Sequence, residues 1–260
     1  MKYLEEGDFL KLLRMDPALY EPAAECGLRT FWMMAGALDG QALKIKKLSY
    51  QGPFGVGYGV VSLRVTREDT RRSFAERYEM LERRAQEERR AAEDDYVRLA
   101  RHAIETIVRT GKPAERPQGL PPEMAERAGV FVSLKKNGEL RGCIGTFEPT
   151  AKNIAEEILQ NAVSAALRDP RFPPVREEEL DALVCSVDVL TEPELVGGAD
   201  DLDVKRYGVI VESRGRKGLL LPDLAGVNTV EEQLHIARQK GGIPEDASVR
   251  IWRFMVERHT

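Results

Sequence analysis

The chain has 260 residues, of which 42% are hydrophobic and 32% charged, and its formal net charge is -4. This much apolar side chain supports one large domain or two smaller ones and excludes a wholly disordered chain. A negative balance is unfavourable for binding phosphate backbones, so we do not expect a nucleic-acid partner. The cysteines Cys26, Cys143 and Cys185 are too far apart in sequence for a zinc-type pair or a disulfide framework.

The N-terminus has no basic segment followed by an apolar run. The longest apolar stretch, residues 31–38, is too short to span a bilayer. We therefore expect a reduced, soluble, cytoplasmic protein that does not enter a membrane.

Residues 1–66 are predicted to form a small α/β unit. Residues 25–38 are apolar on almost every side, which is typical of a buried helix. Strands are predicted over residues 44–50 and 58–65, on either side of a glycine-rich loop. A unit of about 65 residues buries only about 60% of the surface that its unfolded chain exposes. We therefore interpret this unit as a piece of a larger sheet.

Residues 67–94 carry acidic and basic side chains around a helical stripe, which predicts an ion-paired linker helix. A short coiled-coil contact with a partner is the alternative. Residues 95–258 form the main domain, for which hairpins and interspersed helices predict an α+β fold with antiparallel strands. No internal repeat is evident in its sequence.

The predicted elements of the main domain come in a simple order. They are a helix that ends at Gly111, strands over 129–134 and 139–147 joined by an Asn-Gly turn, a helix over 150–167, a strand over 183–190, a hairpin over 208–212 and 218–221, a helix from Thr229 to Lys240, and a strand over 249–256. Thr229 and Glu232 have the spacing of a capping box, and a Gly-Gly pair ends that helix.

Several segments of the main domain, in this order and spacing, resemble the AMMECR-type domain family. They are Leu-Arg-Gly-Cys-Ile-Gly-Thr at 140–146, Asn-Ala through Ala-Ala at 161–166, Asp-Pro-Arg-Phe-Pro-Pro at 169–174, Gly-Leu-Leu-Leu-Pro at 218–222 and Lys-Gly-Gly-Ile at 240–243. The last segment departs slightly, because the family more often has alanine at position 241. The resemblance covers residues 95–258. It implies that the chain resembles component A of the AmmeMemoRadiSam system and that its partners are a Memo-like protein and a radical SAM protein. It implies no defined reaction and no cofactor.

The N-terminal unit resembles the last third of a Memo-type, LigB-like domain of the class III extradiol dioxygenase superfamily, on residues 25–27 and 49–59. In that family the cysteine matching Cys26 belongs to a metal site with histidines from earlier in the domain. The three histidines of this chain all lie after residue 100, and one thiolate cannot make a metal site. We therefore expect residues 1–66 to be the C-terminal fragment of such a domain, without its metal and without ring-cleaving activity.

Cys143 is the candidate catalytic residue, as the nucleophile of a cysteine-dependent activity. Gly142 and Gly145 stand near it and would let a ligand approach the backbone closely. Arg141 would favour the reactive thiolate and contribute to ligand binding. The alternative is a small hydrophobe packed in a strand, which is what a free cysteine usually is.

Asp188 is a second catalytic candidate, because a carboxylate between two valines in a strand needs a partner or exposure. It would form an acid–base pair with Cys143 if their strands were neighbours, and a solvent-facing position is the alternative. Asp169 and Arg171 are candidate ligand-binding residues. The interpretation we favour for them is an Asp-Pro turn held by a local bond between the arginine and the carboxylate.

Two functions remain open at this point. The first is an accessory or modifying protein that works with Memo-like and radical SAM partners through a cleft around Cys143. The second is a non-enzymatic module that binds a protein or a ligand. A homodimer is compatible with either.

Overall fold

A computed structural model describes residues 1–20, 27–52, 57–224 and 226–260. The chain divides into two compact units, Met1–Arg90 and Ala91–Thr260. All strand pairs within the described residues are antiparallel and helices stand between them, which confirms the α+β prediction. Within the same residues, no helix is long and apolar enough to cross a membrane.

Eight helices lie in the described part of the chain. They are α1 Lys2–Glu6, α2 Phe9–Leu13, α3 Pro17–Tyr20, α4 Leu28–Ala37, α5 Phe74–Ala92, α6 Asp95–Thr110, α7 Ile154–Leu167 and α8 Val230–Gly241. The strands are β1 Gln41–Gln51, β2 Tyr58–Glu68, β3 Val130–Lys136, β4 Glu139–Thr146, β5 Leu183–Leu190, β6 Glu194–Val196, β7 Gly208–Ser213, β8 Arg216–Leu220, β9 Arg250–Phe254 and β10 Val256–His259. The strand predicted over 249–256 is thus two strands, and β6 was not predicted.

The first unit has a small core of its own, to which α1, α2, α4 and the start of α5 contribute. The prediction that the apolar helix is buried on all sides is wrong within this unit, because α4 buries Leu28 and Ala35 but leaves Met33 77% exposed. Strands β1 and β2 pair as a long hairpin that lies mostly in solvent. Glu25 and Cys26 lie outside the described residues.

The predicted linker of residues 67–94 contains two kinds of element. Strand β2 continues to Glu68, a 3-10 turn follows, and α5 then carries the expected helical ion pair between Glu79 and Arg83 at 3.6 Å. The boundaries drawn at residues 66 and 94 stay a prediction.

In the second unit, helix α6 begins and ends as its sequence requires. The Asp94 carboxylate accepts the backbone N–H groups of Tyr96 and Val97, and Gly111 ends the helix at a φ of 70°. One face of α6 packs into the main core with α7 and the inner faces of β3 and β5. This core holds one four-stranded sheet in place.

The first sheet has the strand order β10-β5-β3-β4, and the second has β6-β9-β7-β8. In each sheet a hairpin is followed by a helix, and the next strand pairs with the first strand of the hairpin. The fourth strand of each sheet comes from the other half of the unit, since β6 follows β5 along the chain but pairs with β9, and β10 follows β9 but pairs with β5. The same arrangement therefore occurs twice, although no sequence repeat predicted it.

Matched contacts support this structural repeat. A Cβ at Gly142 would lie 2.3 Å from the Ala165 carbonyl oxygen, and a Cβ at Gly218 would lie 1.8 Å from the Ala237 oxygen, so glycine lets each helix lie directly on its strand. Four residues before each of these alanines, a buried side-chain amide donates a hydrogen bond to a backbone carbonyl at the beginning of the first strand of the hairpin. Asn161 Nδ2 donates to the Val130 carbonyl at 3.0 Å, and Gln233 Nε2 donates to the Tyr207 carbonyl at 2.8 Å.

Candidate functional site

A β-bulge in the first hairpin determines where Cys143 lies. The predicted Asn-Gly turn is confirmed, with positive φ at Asn137 and Gly138, and it pairs Lys135 with Leu140. The register then shifts by one residue, so that Leu134 lies opposite Gly142 and Ser133 opposite Cys143. Because side chains alternate along a strand, this one extra residue turns Cys143 from the core face to the outer face of the sheet.

Three small polar side chains form a row on that outer face. Ser133 is paired with Cys143 on β4 and with Ser186 on β5, so the three residues share a face. Ser133 Oγ donates to Cys143 Sγ at 3.2 Å, and all three residues are half-buried. We call Cys143, Ser133 and Ser186 the polar row. The alternation Val130, Val132, Leu134 could have identified Ser133 as outward-facing, but its contact with Cys143 depends on the bulge.

The turn after α7 binds both backbone groups of Cys143. Asp169 Oδ2 accepts the Cys143 N–H at 2.9 Å, and Arg171 Nη2 donates to the Cys143 carbonyl at 3.0 Å. Arg171 also bonds both oxygens of Asp169, at 2.9 and 2.7 Å, which is the local bond expected for this turn. Arg171 and, secondly, the Cys143 N–H hold the pKa of the buried Asp169 carboxyl far below its usual range. The structure therefore brings Asp169 and Arg171 to Cys143.

Arg141, the extra residue of the bulge, is held by an ion pair. Its Nε and Nη2 donate to Glu179 at 3.0 and 2.9 Å, and Lys136 Nζ binds the same carboxylate at 2.9 Å. Arg141 first, and then Lys136, lower the pKa of Glu179 from 4.5 to about 2, against the opposing effect of burial. These bonds give Arg141 a structural role at the edge of the site, and Glu179 was not singled out from the sequence.

Gly142 and Gly145 are required by the protein's own packing. Helix α7 occupies the space beside Gly142, and a Cβ at Gly145 would lie 2.2 Å from the Phe131 ring. A helix backbone and an aromatic ring, both of the protein itself, thus make the predicted close approach to these two glycines. This geometry does not support their interpretation as ligand contacts.

The structure does not bring Asp188 to Cys143. Strand β3 lies between their strands, and Asp188 is paired with Phe131 one row away from Ser133. The Asp188 carboxylate is 5% exposed and accepts two bonds from Arg258, at 2.8 and 3.0 Å. The condition for the acid–base pair with Cys143 is therefore not met, and Asp188 does not face solvent either; the partner that its carboxylate needs is an arginine on β10. Cys185 is buried, as expected.

The buried carboxylate of Glu157, which was not singled out from the sequence, holds the end of β4 and the segment that follows it. Glu157 is 0% exposed and accepts bonds from the Thr146 and Thr150 hydroxyls and from the N–H groups of Thr150 and Ala151. Burial raises its pKa, but these bonds together outweigh burial and leave the pKa lowered. Among the residues that the structure describes, no group of three His, Cys, Asp or Glu side chains could hold a metal ion.

The two antiparallel sheets and their helices make this an α+β domain. Cys143 lies half-buried on an outer face of the first sheet. Comparison with known proteins identifies the family of the domain. The AMMECR1 family model matches residues 97–259, and the chain belongs to this family. A protein of Thermotoga maritima is 55% identical over 170 residues, which are 64% of this chain and 98% of that protein.

A longer relative and a solved structure extend the comparison. A protein of Clostridium acetobutylicum is 45% identical over 98% of this chain, and the chain spans 54% of that protein's length. The crystal structure of the uncharacterized protein PH0010 from Pyrococcus horikoshii matches with a TM-score of 0.57 and 41% identity, covering 63% of this chain and 88% of that one. The names of these relatives assign no activity.

Proposed function

We propose that the AMMECR1 domain of this chain is a cytoplasmic accessory or modifying component that engages its partner through the polar row. The observation that carries the proposal is the clamp on Cys143. Asp169 and Arg171 hold both backbone groups of the residue, while its side chain stays half-buried on the outer face. The clamp fixes the backbone of Cys143, and the Ser133 hydroxyl bonds its thiol, as the preorganisation of a binding or reacting group requires.

The other half of the repeat supports this interpretation. Counting from the two matched glycines, the row equivalent to Cys143, Ser133 and Ser186 consists of Leu219, Ile210 and Trp252, which are paired with one another in the same way. Those three apolar residues pack with Phe131, Leu190 and Phe254. Packing alone therefore favours large apolar residues at this place in the fold, whereas the polar row buries thiol and hydroxyl groups less favourably. Such an exception is expected where a site needs polar groups.

The partners we propose are those implied by the family resemblance, a Memo-like protein and a radical SAM protein. The test measures the affinity of this chain for each partner by calorimetry, before and after N-ethylmaleimide has modified Cys143. Modification of Cys143 on a contact face is expected to weaken binding by roughly tenfold or more, because an interface centre excludes bulky additions. Leu195→Ser, on the exposed edge strand of the second sheet, is the matched control.

Cys143→Ser separates a modifying role from a binding role. If the thiol reacts, this variant binds the partner but loses the modification; if the row only binds, the variant keeps every property and Cys143→Phe alone is defective. Unchanged affinity after Cys143 modification, and normal behaviour of Cys143→Phe, would remove the polar row from the function.

We also propose that residues 1–66 are the C-terminal fragment of a Memo/LigB-like domain. The β1–β2 hairpin supports this, since Leu48, Tyr50 and Tyr58 are 56%, 54% and 62% exposed. Exposed apolar side chains on an unpaired hairpin are what a larger sheet leaves when its neighbours are absent. Cys26 would be the fragment's share of a metal site, and we do not extend the proposal to ring-cleaving chemistry.

The fragment proposal predicts that the hairpin is covered by the rest of such a domain. Hydrogen exchange of β1 and β2 is measured with and without a separate chain that carries the remainder of a Memo-like domain. Protection confined to these strands is expected, and Leu48→Lys with Tyr58→Lys should abolish it. Exchange that is the same in both samples would contradict the proposal.

A further inference from the structure

The two halves of the repeat differ in the contacts made beside the hairpin turn. In the first half, Glu179, from the connection between α7 and β5, binds Arg141 and Lys136 beside the hairpin turn. In the second half, the residue equivalent to Arg141 is Lys217, which binds Glu148 at 2.5 Å instead. The connection from α8 to β9 carries Glu245, which binds His235 of α8 at 2.6 Å.

The second half has an open groove beside its hairpin turn. It lies between the β7–β8 turn, residues 212–216, and the connection from α8 to β9, residues 243–249, and its volume is about 1010 Å³. This volume is in the range of small-molecule sites in proteins. Its apolar wall includes Ile243, which is 4% exposed, together with Pro244 and Val249.

Three arginines and two carboxylates line this groove, namely Arg214, Arg216, Arg250, Glu212 and Asp246. Arg250 binds Glu212 at 2.6 Å and lies over the Trp252 ring, and Arg216 uses Nη1 to bond the Gly242 carbonyl. Arg214 makes no hydrogen bond or ion pair with any residue that the structure describes, and it stands in the turn at a φ of 50°. Each guanidinium has five N–H donors, so Arg216 and Arg214 retain donors for a ligand.

We propose that this groove is a binding site for a small ligand that carries a carboxylate or phosphate group. Arg214 and Arg216 bind the anionic group, because guanidinium matches the geometry of both oxyanions. The apolar part of the ligand lies against Pro244 and Val249. The site is independent of the polar row, so it stands whether or not Cys143 contributes to function.

Trp252 does not line the groove, but it reports on occupancy through Arg250, a lining residue whose guanidinium carbon lies 5.1 Å from the Trp252 ring centroid. Trp32 is the second tryptophan, so the fluorescence of the full chain with Trp32→Phe comes from Trp252 alone. Inorganic phosphate and citrate are titrated separately at constant ionic strength against chloride, and calorimetry of the unmodified chain gives an independent affinity. If only one of the two anions binds, the result shows whether the site takes a phosphate or a carboxylate group.

Arg214→Gln and Arg216→Gln are each expected to weaken binding by roughly tenfold, the effect of losing one charge-assisted bond. Arg206→Gln is the matched control, because it removes one exposed arginine that stacks on Tyr207 and does not line the groove. Saturable binding in the millimolar range or tighter, lost in the two groove variants only, supports the proposal. Absence of saturable binding by both methods, or an equal loss in all three variants, overturns it.

Discussion

Replacing Glu179 by glutamine tests the ion-pair cluster that holds the bulge of β4. The substitution keeps the shape of the side chain but removes the negative charge that faces Arg141 and Lys136. Arg141 is only 12% exposed in its side chain, so its positive charge would be left without compensation in a poorly solvated place. We therefore expect Glu179→Gln to lower the free energy of unfolding at neutral pH.

The magnitude follows from the pKa of Glu179, which falls from 4.5 to about 2 on folding. One pKa unit corresponds to about 1.4 kcal/mol, so the whole fall represents about 3 kcal/mol. Solvent reaches Lys136, whose side chain is 35% exposed, and screening reduces the expected loss to about 2 kcal/mol.

The sign of the pH dependence is determined by the lowered pKa. Stabilisation by Glu179 is complete above the unfolded value of 4.5 and is lost as the pH falls toward the folded value of about 2. The stability difference between the unmodified chain and Glu179→Gln should therefore be constant from pH 7 to about pH 5 and shrink below it. Urea unfolding followed by circular dichroism measures it, with Glu178→Gln, 70% exposed in its side chain, as control. Equal stability at pH 7, or a difference that does not change with pH, would refute this account.

Three further substitutions test the positions of residues around Cys143. Gly142→Ala should lower the free energy of unfolding by about 2–4 kcal/mol, because the new methyl group meets a helix carbonyl. Gly198→Ala is the control, because a Cβ there has nothing within 4 Å, and it should change the free energy of unfolding by less than about 0.5 kcal/mol. Urea unfolding measures both variants. Asp188→Asn should leave the alkylation rate of Cys143 unchanged, because a strand separates the two; a slower rate would restore the acid–base pair. In a Cys143→Ser background, Ile144→Cys should be alkylated more slowly than Cys143 is in the unmodified chain, because Ile144 packs on the core; equal rates would contradict the bulged register.

The elements of the second unit could largely be predicted, because their signals are local. The Thr229–Glu232 capping box is present, the helix it begins ends at Gly242 with a φ of 60°, and the Asn-Gly turn forms as expected. In each case a side chain or glycine acts on backbone groups at most four residues away, and periodicity within the segment identifies it.

The composition of the site could not be predicted in the same way. A two-residue turn without a bulge would pair Cys143 with Val132 and direct the thiol into the core, which is the alternative that residue type alone favoured. Glu179, Arg258 and Ser186 come from segments far along the chain, and no periodicity links them to β4. The all-round apolar helix α4 shows the converse error, because apolar composition measures what a surface could bury and not whether a neighbour is there to bury it.

The repeat separates residues that build this fold from residues that give it a site. Positions that are alike in both halves, the glycine under each helix and the amide that bonds the start of each sheet, serve the packing of helix on strand. Positions that differ are the outer row, polar in one half and apolar in the other, and the surroundings of the hairpin turn, where Glu179 binds Arg141 in one half and an open groove lies in the other. Since one backbone arrangement tolerates both choices, packing does not dictate the polar row or the open groove. These are therefore the two places where a functional requirement of the protein is best sought.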